Sequence, residues 1–271
     1  MNINPKVSVI IPTYNDSKSL IKAIESVVSQ SFKDFEIIII DDGSIDNTKE
    51  IVTGLADKDA RIKYFYQENI GHPSAPRNFG MEKVTGEYIA LLDSDDEWID
   101  IEKIKQQVEF LDINIDYVLV GTGVVNVEFN GKEINRYLMP ETDKKIRQKI
   151  LRINSFINSS ALFRVSAFKT VGSSGSILED YDLWMKLGNI GKFSNLPIYA
   201  VKYCVKFDGY GAKNKIARLK ENLVLSKKYK NIYPNYFQAF LLGYIKIFFY
   251  PIFEILPIKI KGILIKLHKK L

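Results

Sequence analysis

Two apolar, largely β-branched runs at residues 7–12 and 35–40 are separated by one helix-length of sequence, and no other feature constrains the fold as strongly. A strand that stays apolar along its length is covered on both faces, as central strands of parallel sheets are. Between the runs, Leu20, Ile21, Ile24, Val27 and Val28 recur at helical spacing, with Asp16 or Ser17 as N-cap. Strand, helix and strand make a βαβ unit. A shorter third strand is expected over residues 61–66, and residues 87–92 form another buried run. Ligands of such sheets bind outside the carboxyl ends of the strands, so the residues that close each run carry the functional argument.

The run at 87–92 is closed by Asp93-Ser94-Asp95-Asp96. Crowded carboxylates repel unless a cation or a proton relieves them. The donors are hard oxygens, which favours Mg²⁺ or Mn²⁺ completed by phosphate oxygens over Zn²⁺. The competing reading is a solvated acidic turn that caps a helix starting near Ile101, with Asp100 as N-cap. The second run ends in Asp41-Asp42-Gly43-Ser44, followed by a helix from about Asn47 with Glu50 three residues on. A carboxylate there can accept from a pyrimidine imide or a ribose hydroxyl, or can simply belong to an Asp-Gly turn. Residues 67–73 are a turn-rich loop, and Ser74-Ala75-Pro76-Arg77-Asn78 opens a helix in which Arg77 is either a fixed cation beside a phosphate or a solvated side chain.

Several function classes are excluded. The first strand-to-helix loop has no glycine, and neither Gly131-Lys132-Glu133 nor Gly191-Lys192-Phe193 resembles a P-loop, so dinucleotide and P-loop chemistry lose their footing. Two histidines, His72 and His268, leave little for a zinc site or a Ser-His-Asp triad. The lone Cys204 forms no intrachain disulfide and reads as a small buried hydrophobe in a reducing compartment. Met1 to Lys6 runs straight into strand pattern, so no signal peptide is expected and the protein is placed in the cytoplasm.

The net charge of +6 is unevenly spread. Residues 213–271 hold 13 Lys and Arg against Glu221 and Glu254, whereas residues 1–212 hold 25 against 30 acids. That division predicts an acidic domain at 1–212 and a basic, apolar helical tail at 213–271 seeking an anionic surface. Lys246, Pro251 and Glu254 interrupt the apolar stretch at 236–256, so an interfacial helix is expected rather than a span. The alternative is a helix pair packed on the domain. No nucleic-acid partner is expected, and oligomeric state is left open.

Residues 7–16, Asp41-Asp42-Gly43-Ser44 with Asp46 and Thr48, Ala75-Pro76-Arg77-Asn78 and Asp93-Ser94-Asp95-Asp96 resemble, in order and spacing, the family-two nucleotide-sugar glycosyltransferases. Ser159-Ser160-Ala161-Leu162-Phe163-Arg164, Val171-Gly172 and Glu179-Asp180-Tyr181-Asp182-Leu183-Trp184 extend the resemblance to the acceptor side, over about residues 5–207. It implies an α/β GT-A fold: a mixed, mostly parallel sheet flanked by helices, with a nucleotide-binding half at about 1–100 and an acceptor half at about 101–212. Pro12, Thr13 and Tyr14 are then expected to wall the base, Asp42 to bond the uracil, and Arg77 and Ser94 to line the nucleotide-sugar site. Asp93 becomes the ribose contact, and Asp95 or Asp96 the metal ligand. Asp180 resembles the family's catalytic base. Glu179 reads as an ion-pair or capping residue, and Trp184 as core. Ser173-Ser174-Gly175-Ser176 departs from the glycine-rich turn with an aromatic that the family often places before its Glu-Asp motif.

The reading is an inverting transferase that moves a sugar from a nucleotide-sugar, expected to be a UDP-sugar, to a glycan or lipid-linked acceptor by metal-dependent single displacement. It is expected at the inner face of the cell membrane. The alternatives are a sugar nucleotidyltransferase, which lacks its Gly-rich activating loop here, and an inactive glycan-binding module, which would not need both acidic clusters and Asp180.

Overall fold

A computed structural model describes residues 4–72, 74–206 and 213–255 of the chain. Strands β1 (Val7–Thr13), β2 (Phe35–Asp41), β3 (Ile62–Tyr66) and β4 (Tyr88–Leu91) lie parallel in the order β3-β2-β1-β4. Helices α1 (Ser17–Val28), α2 (Thr48–Ala56) and α3 (Ser74–Glu82) connect them. The apolar runs are unbroken for the expected reason. Along β1, Ile10 joins one buried cluster with Ile38, Ile40, Ile89 and Leu91, while Val7, Val9 and Ile11 join another on the opposite face with Ile37, Ile39 and Ala90.

Beyond β4 the sheet becomes mixed. The three-residue β8 (Leu162–Arg164) is antiparallel to β4 and to β6 (Tyr117–Val127), which restores β6 to the direction of β1. β9 (Lys192–Cys204) runs parallel to β6, and the two-residue β5 (Glu97–Trp98) closes the edge antiparallel to β9. β7 (Glu133–Tyr137) pairs with the far half of β6 as the expected hairpin. The C-terminal ends of β1, β2, β4 and β9 therefore share one edge.

Helices α4 (Lys103–Ile113), α5 (Asp143–Lys149), α6 (Val165–Val171) and α7 (Glu179–Leu187) complete the layers, and a 3-10 turn spans Asn158–Ser160. The expected caps are only partly realised. α4 begins at Lys103, and Asp100 serves it indirectly by accepting from Glu102 N at 2.9 Å. Neither Asp16 nor Asn47 caps its helix by side chain; Asp46 instead accepts from Ser17 N at 3.2 Å and Thr48 N at 3.1 Å, serving α1 and α2 together.

The boundary drawn at residue 212 is not a break in packing. Helices α8 (Lys215–Lys228) and α9 (Tyr236–Ile255) follow the sheet, and Leu225, Tyr229, Tyr233 and Ala239 belong to the same buried cluster as Ile10 and Trp184. Large side chains at regular intervals on a basic segment are covered here by α7, where Tyr233 Oη donates to Met185 O at 2.7 Å. The outer part of α9 is different: Phe237, Leu241, Tyr244, Phe248 and Phe249 are exposed. No helix among the described residues is long and apolar enough to cross a membrane. The last part of the expected tail, residues 256–271, lies outside the described residues.

Candidate active site

At the shared strand edge, a cleft of about 470 Å³ is lined by Pro12 and Thr13 at the end of β1 and Tyr14 just past it, Asp42 after β2, Arg77 from α3, and Asp93, Ser94 and Asp95 after β4. Lys206, just past β9, completes it. A second cleft of about 390 Å³ is lined by Asn154, Asn158, Glu179, Asp180, Tyr137 and Arg218, and it shares Arg77 and Asp93 with the first. Two clefts with a common wall suit a reaction between two bound molecules.

Paired acids at each strand end divide their work. Asp41 is buried and accepts from Tyr64 Oη at 2.6 Å and Ser44 N at 2.8 Å, which fixes the turn. Gly43, at φ +80°, belongs to that turn; a Cβ there would lie 2.8 Å from Asn69 N. Asp42 faces the cleft and accepts from Gln67 Nε2; burial, partly offset by that bond, raises its pKa above the ordinary value. Beside it, Thr13 Oγ1 is buried with no hydrogen-bond partner, a polar atom left for a ligand.

The same division separates Asp95 from Asp96. Asp96 is 1% exposed and does not line either cleft: Ser159 Oγ donates to its Oδ2, and Cys204 N donates to its Oδ1 at 2.9 Å. Burial, with Asp95 and Asp93 nearby, holds its carboxyl well above the usual range. Of the two metal-ligand candidates, only Asp95 reaches the cleft, where Lys206 Nζ lies 2.8 Å from its Oδ2. Burial and Asp93 raise the pKa of Asp95, and Lys206 opposes them. Among the described residues no group of three or more acidic, His or Cys side chains could hold a metal alone. A single hard-oxygen carboxylate in a cleft of this size fits Mg²⁺ or Mn²⁺, which take one or two carboxylates with substrate phosphates and water.

Arg77 does not stand free beside a phosphate as its helix-opening position allowed. Its Nη2 donates to Asp93 Oδ1 at 2.7 Å and its Nη1 to Glu179 Oε1, so it ties the loop after β4 to the first turn of α7. Asn158 Nδ2 also donates to Asp93 Oδ1, at 2.9 Å. Glu179 is thereby the ion-pair residue of the Glu-Asp motif. Asp180, one residue on, lines the second cleft and accepts from Asn154 Nδ2 at 2.9 Å.

Sequence reasoning passed over Lys206, Asn154 and Asn158, and it took Ser159 only as part of a motif, without its role as partner of Asp96. For Lys206 a signal existed: a strand ending at 204 delivers the next residues to the edge where the acidic loops lie. For Asn154 and Asn158 there was none, because their value lies in the distant partners that they meet.

The model of glycosyl transferase family 2 matches residues 8–172. The chain belongs to that family. It is 32% identical over 221 residues to the putative glycosyltransferase EpsE of Bacillus subtilis, covering 79% of this chain and 78% of that protein. It is 37% identical over 150 residues to the GalNAc(5)-diNAcBac-PP-undecaprenol beta-1,3-glucosyltransferase of Campylobacter jejuni, covering 54% of this chain and 47% of that one. An uncharacterized glycosyltransferase of Rickettsia felis is 37% identical over 189 residues, 68% of this chain, and the chain spans only 30% of that protein's length. The fold is similar to S. aureus TarS 1-349 in complex with UDP-GlcNAc (TM-score 0.65, 23% identity, 82% of this chain and 66% of that one). It is also similar to the Pyrobaculum calidifontis mannosyltransferase PcManGT in complex with GDP-Man and Mn²⁺ (TM-score 0.67, 18% identity, 91% and 70%). The fold is of the GT-A type.

Proposed function

We propose that the chain is an inverting glycosyltransferase that moves a sugar from a UDP-sugar to a hydroxyl of a glycan or lipid-linked glycan acceptor. The observation that carries this reading is the common wall: Arg77 and Asp93 border both the cleft with Asp42 and Asp95 and the cleft with Asp180. In this reading the first cleft takes the nucleotide-sugar, with Pro12, Thr13 and Tyr14 at the base, Asp42 accepting from the uracil imide, and Asp93 and Ser94 at the ribose. Asp95 is the side chain that would hold Mg²⁺ or Mn²⁺, which when bound supplies Lewis-acid stabilisation to the leaving diphosphate.

The acceptor occupies the second cleft. Asp180 removes the proton from the attacking hydroxyl, and Asn154 orients its carboxylate. Glu179 and Asp93, the other carboxylates of this cleft, are both committed to Arg77, so Asp180 is left for base work and no second carboxylate stands ready as a nucleophile. One base without a nucleophile means a single displacement, which inverts the anomeric centre. The exposed apolar residues of α9 within a basic segment support attachment to an anionic membrane surface on the cytoplasmic side, where a lipid-linked acceptor would lie. The lipid-linked acceptor in the name of the C. jejuni relative supports that acceptor class.

The test is a thermal-unfolding screen of UDP-, GDP- and dTDP-sugars with Mn²⁺. A UDP-sugar at 100 times its dissociation constant should add about 2.7 kcal/mol. Stabilisation by GDP- or dTDP-sugars alone would reassign the base, and stabilisation by none would remove the donor reading.

A further inference from the structure

We propose that Lys206 is a tethered cation of the donor site, occupying Asp95 in the free protein and moving to the donor's diphosphate when a divalent ion takes Asp95. The inference rests on the donor reading above and concerns a residue which that reading leaves without a role. Its basis is the charge balance of the first cleft. Asp42, Asp93 and Asp95 line it, and Asp16 adjoins through Ser94 Oγ, which donates to Asp16 Oδ2 at 3.2 Å. Two cations oppose them, Arg77 and Lys206. Arg77 is held by Asp93 at Nη2 and Glu179 at Nη1 with its side chain 16% exposed, so its charge is balanced within the wall, and its buried Nε, though unpartnered, cannot leave it.

Lys206 is placed differently. Its Nζ lies 2.8 Å from Asp95 and 3.6 Å from Asp16, and its side chain is 43% exposed. The base of its stem is fixed: Cys204 N donates to Asp96 at 2.9 Å, and Val205 N donates to Val127 O at 2.9 Å. A fixed backbone with a long, half-exposed stem lets the ammonium sweep the mouth of the cleft, and an ammonium is a compact charge that accepts any phosphate geometry. A divalent ion on Asp95 and an ammonium on the same carboxylate repel, so metal binding must push Lys206 outward. The nearest new anion in the occupied cleft is the diphosphate, on which the departing nucleotide accumulates charge.

The experiment uses Lys206→Met and Lys206→Arg in the full chain, with two readouts besides turnover. UDP binding is measured by calorimetry with saturating Mn²⁺ and in EDTA, and Mn²⁺ binding without nucleotide by water-proton relaxation. Loss of a charge-assisted bond to phosphate should weaken UDP binding of Lys206→Met by about 10- to 100-fold with Mn²⁺ present, and by less in EDTA, where Lys206 stays on Asp95. Mn²⁺ should bind that variant at least about 3-fold more tightly, since a competing ion pair is gone. Lys206→Arg should retain UDP binding with Mn²⁺ present. A residue that merely holds Asp95 in place would weaken both ligands together, and that result, or no change in either, overturns the proposal. Unchanged protein that fails to bind UDP even with Mn²⁺ would overturn the donor reading itself and this inference with it.

Discussion

Arg77→Met should be the most damaging single change at the site, through stability before chemistry. Arg77 is 16% exposed, Glu179 9% and Asp93 22%, so removing the guanidinium leaves two carboxylates in poor contact with water and with each other's charge. Breaking a buried pair by deleting one partner costs about 3–5 kcal/mol. At about 2–4 °C per kcal/mol for a domain of this size, the melting temperature should fall by about 6–20 °C. Glu179 already has a raised pKa, from burial opposed by Arg77 and aided by Asp180; without Arg77 it rises further. A raised folded pKa gives stability that is present below the unfolded value of 4.5 and lost as pH climbs through the folded one. The deficit of Arg77→Met should therefore be larger at pH 8 than at pH 5. Adding Glu179→Gln should restore about half of it, because one of the stranded charges is gone, and scanning calorimetry of the four-protein cycle at both pH values measures this. A loss below about 1 kcal/mol, an equal deficit at both pH values, or a second mutation that adds its own cost would refute the reasoning.

Asp180→Asn should leave UDP-sugar binding unchanged and lower transfer by about 10²-fold or more, read by single-turnover kinetics. Asp95→Asn should abolish the Mn²⁺-dependent part of UDP binding in calorimetry, whereas Asp96→Asn should lower the melting temperature without that loss, since its partners are Ser159 and Cys204 N. At Glu36, burial pushes the carboxyl up but bonds from Lys63, Ser8 and Thr85 outweigh it and hold the pKa below 4.5. That stability is present above pH 4.5 and lost as pH falls through the folded value, so Glu36→Gln should cost about 2 kcal/mol at pH 7 and little in strong acid, by urea unfolding. Removing residues 243–271 should abolish sedimentation with anionic vesicles while keeping the fold, but removing 232–271 should also lower the unfolding midpoint, because it takes Tyr233 out of the core.

The central strands were legible because both faces of β1, β2 and β4 are covered, which leaves an apolar signature in a single stretch of sequence. β8 and β9 carry no such signature. β8 has three residues, and β9 alternates in burial, contains Pro197 and shifts register against β6, so neither shows a period long enough to read. The site was legible as paired acids, and the family resemblance singled out Asp42 and Asp180, but it left Asp95 and Asp96 undivided and gave no physical reason for any of the divisions. Asp41 is distinguished from Asp42 by Tyr64, Asp96 from Asp95 by Ser159, and Glu179 from Asp180 by Arg77. Those partners are 23, 63 and 102 residues away in sequence, beyond any local pattern.

The segment read as a tail is two objects, and the division falls within α9 rather than before α8. Asp182, on the helix that carries Asp180, accepts from Lys228 Nζ at 2.8 Å and Tyr229 Oη at 2.7 Å, and Ser176 Oγ donates to Glu221 at 2.6 Å just ahead of that helix. α8 thus clamps α7 from behind, and its Arg218 forms part of the wall of the second cleft. The excess of lysine that marks the segment as membrane-seeking therefore includes Lys228, which is spent on holding the helix that carries Asp180. Burial separates the roles better than charge does: Leu225, Tyr229 and Tyr233 are spent on the core, whereas the exposed apolar residues are concentrated from Phe237 onward. An element that at one end holds the helix of Asp180 and at the other presents apolar side chains would place any surface bound there at a fixed position relative to the second cleft, which is where the proposed acceptor hydroxyl would enter.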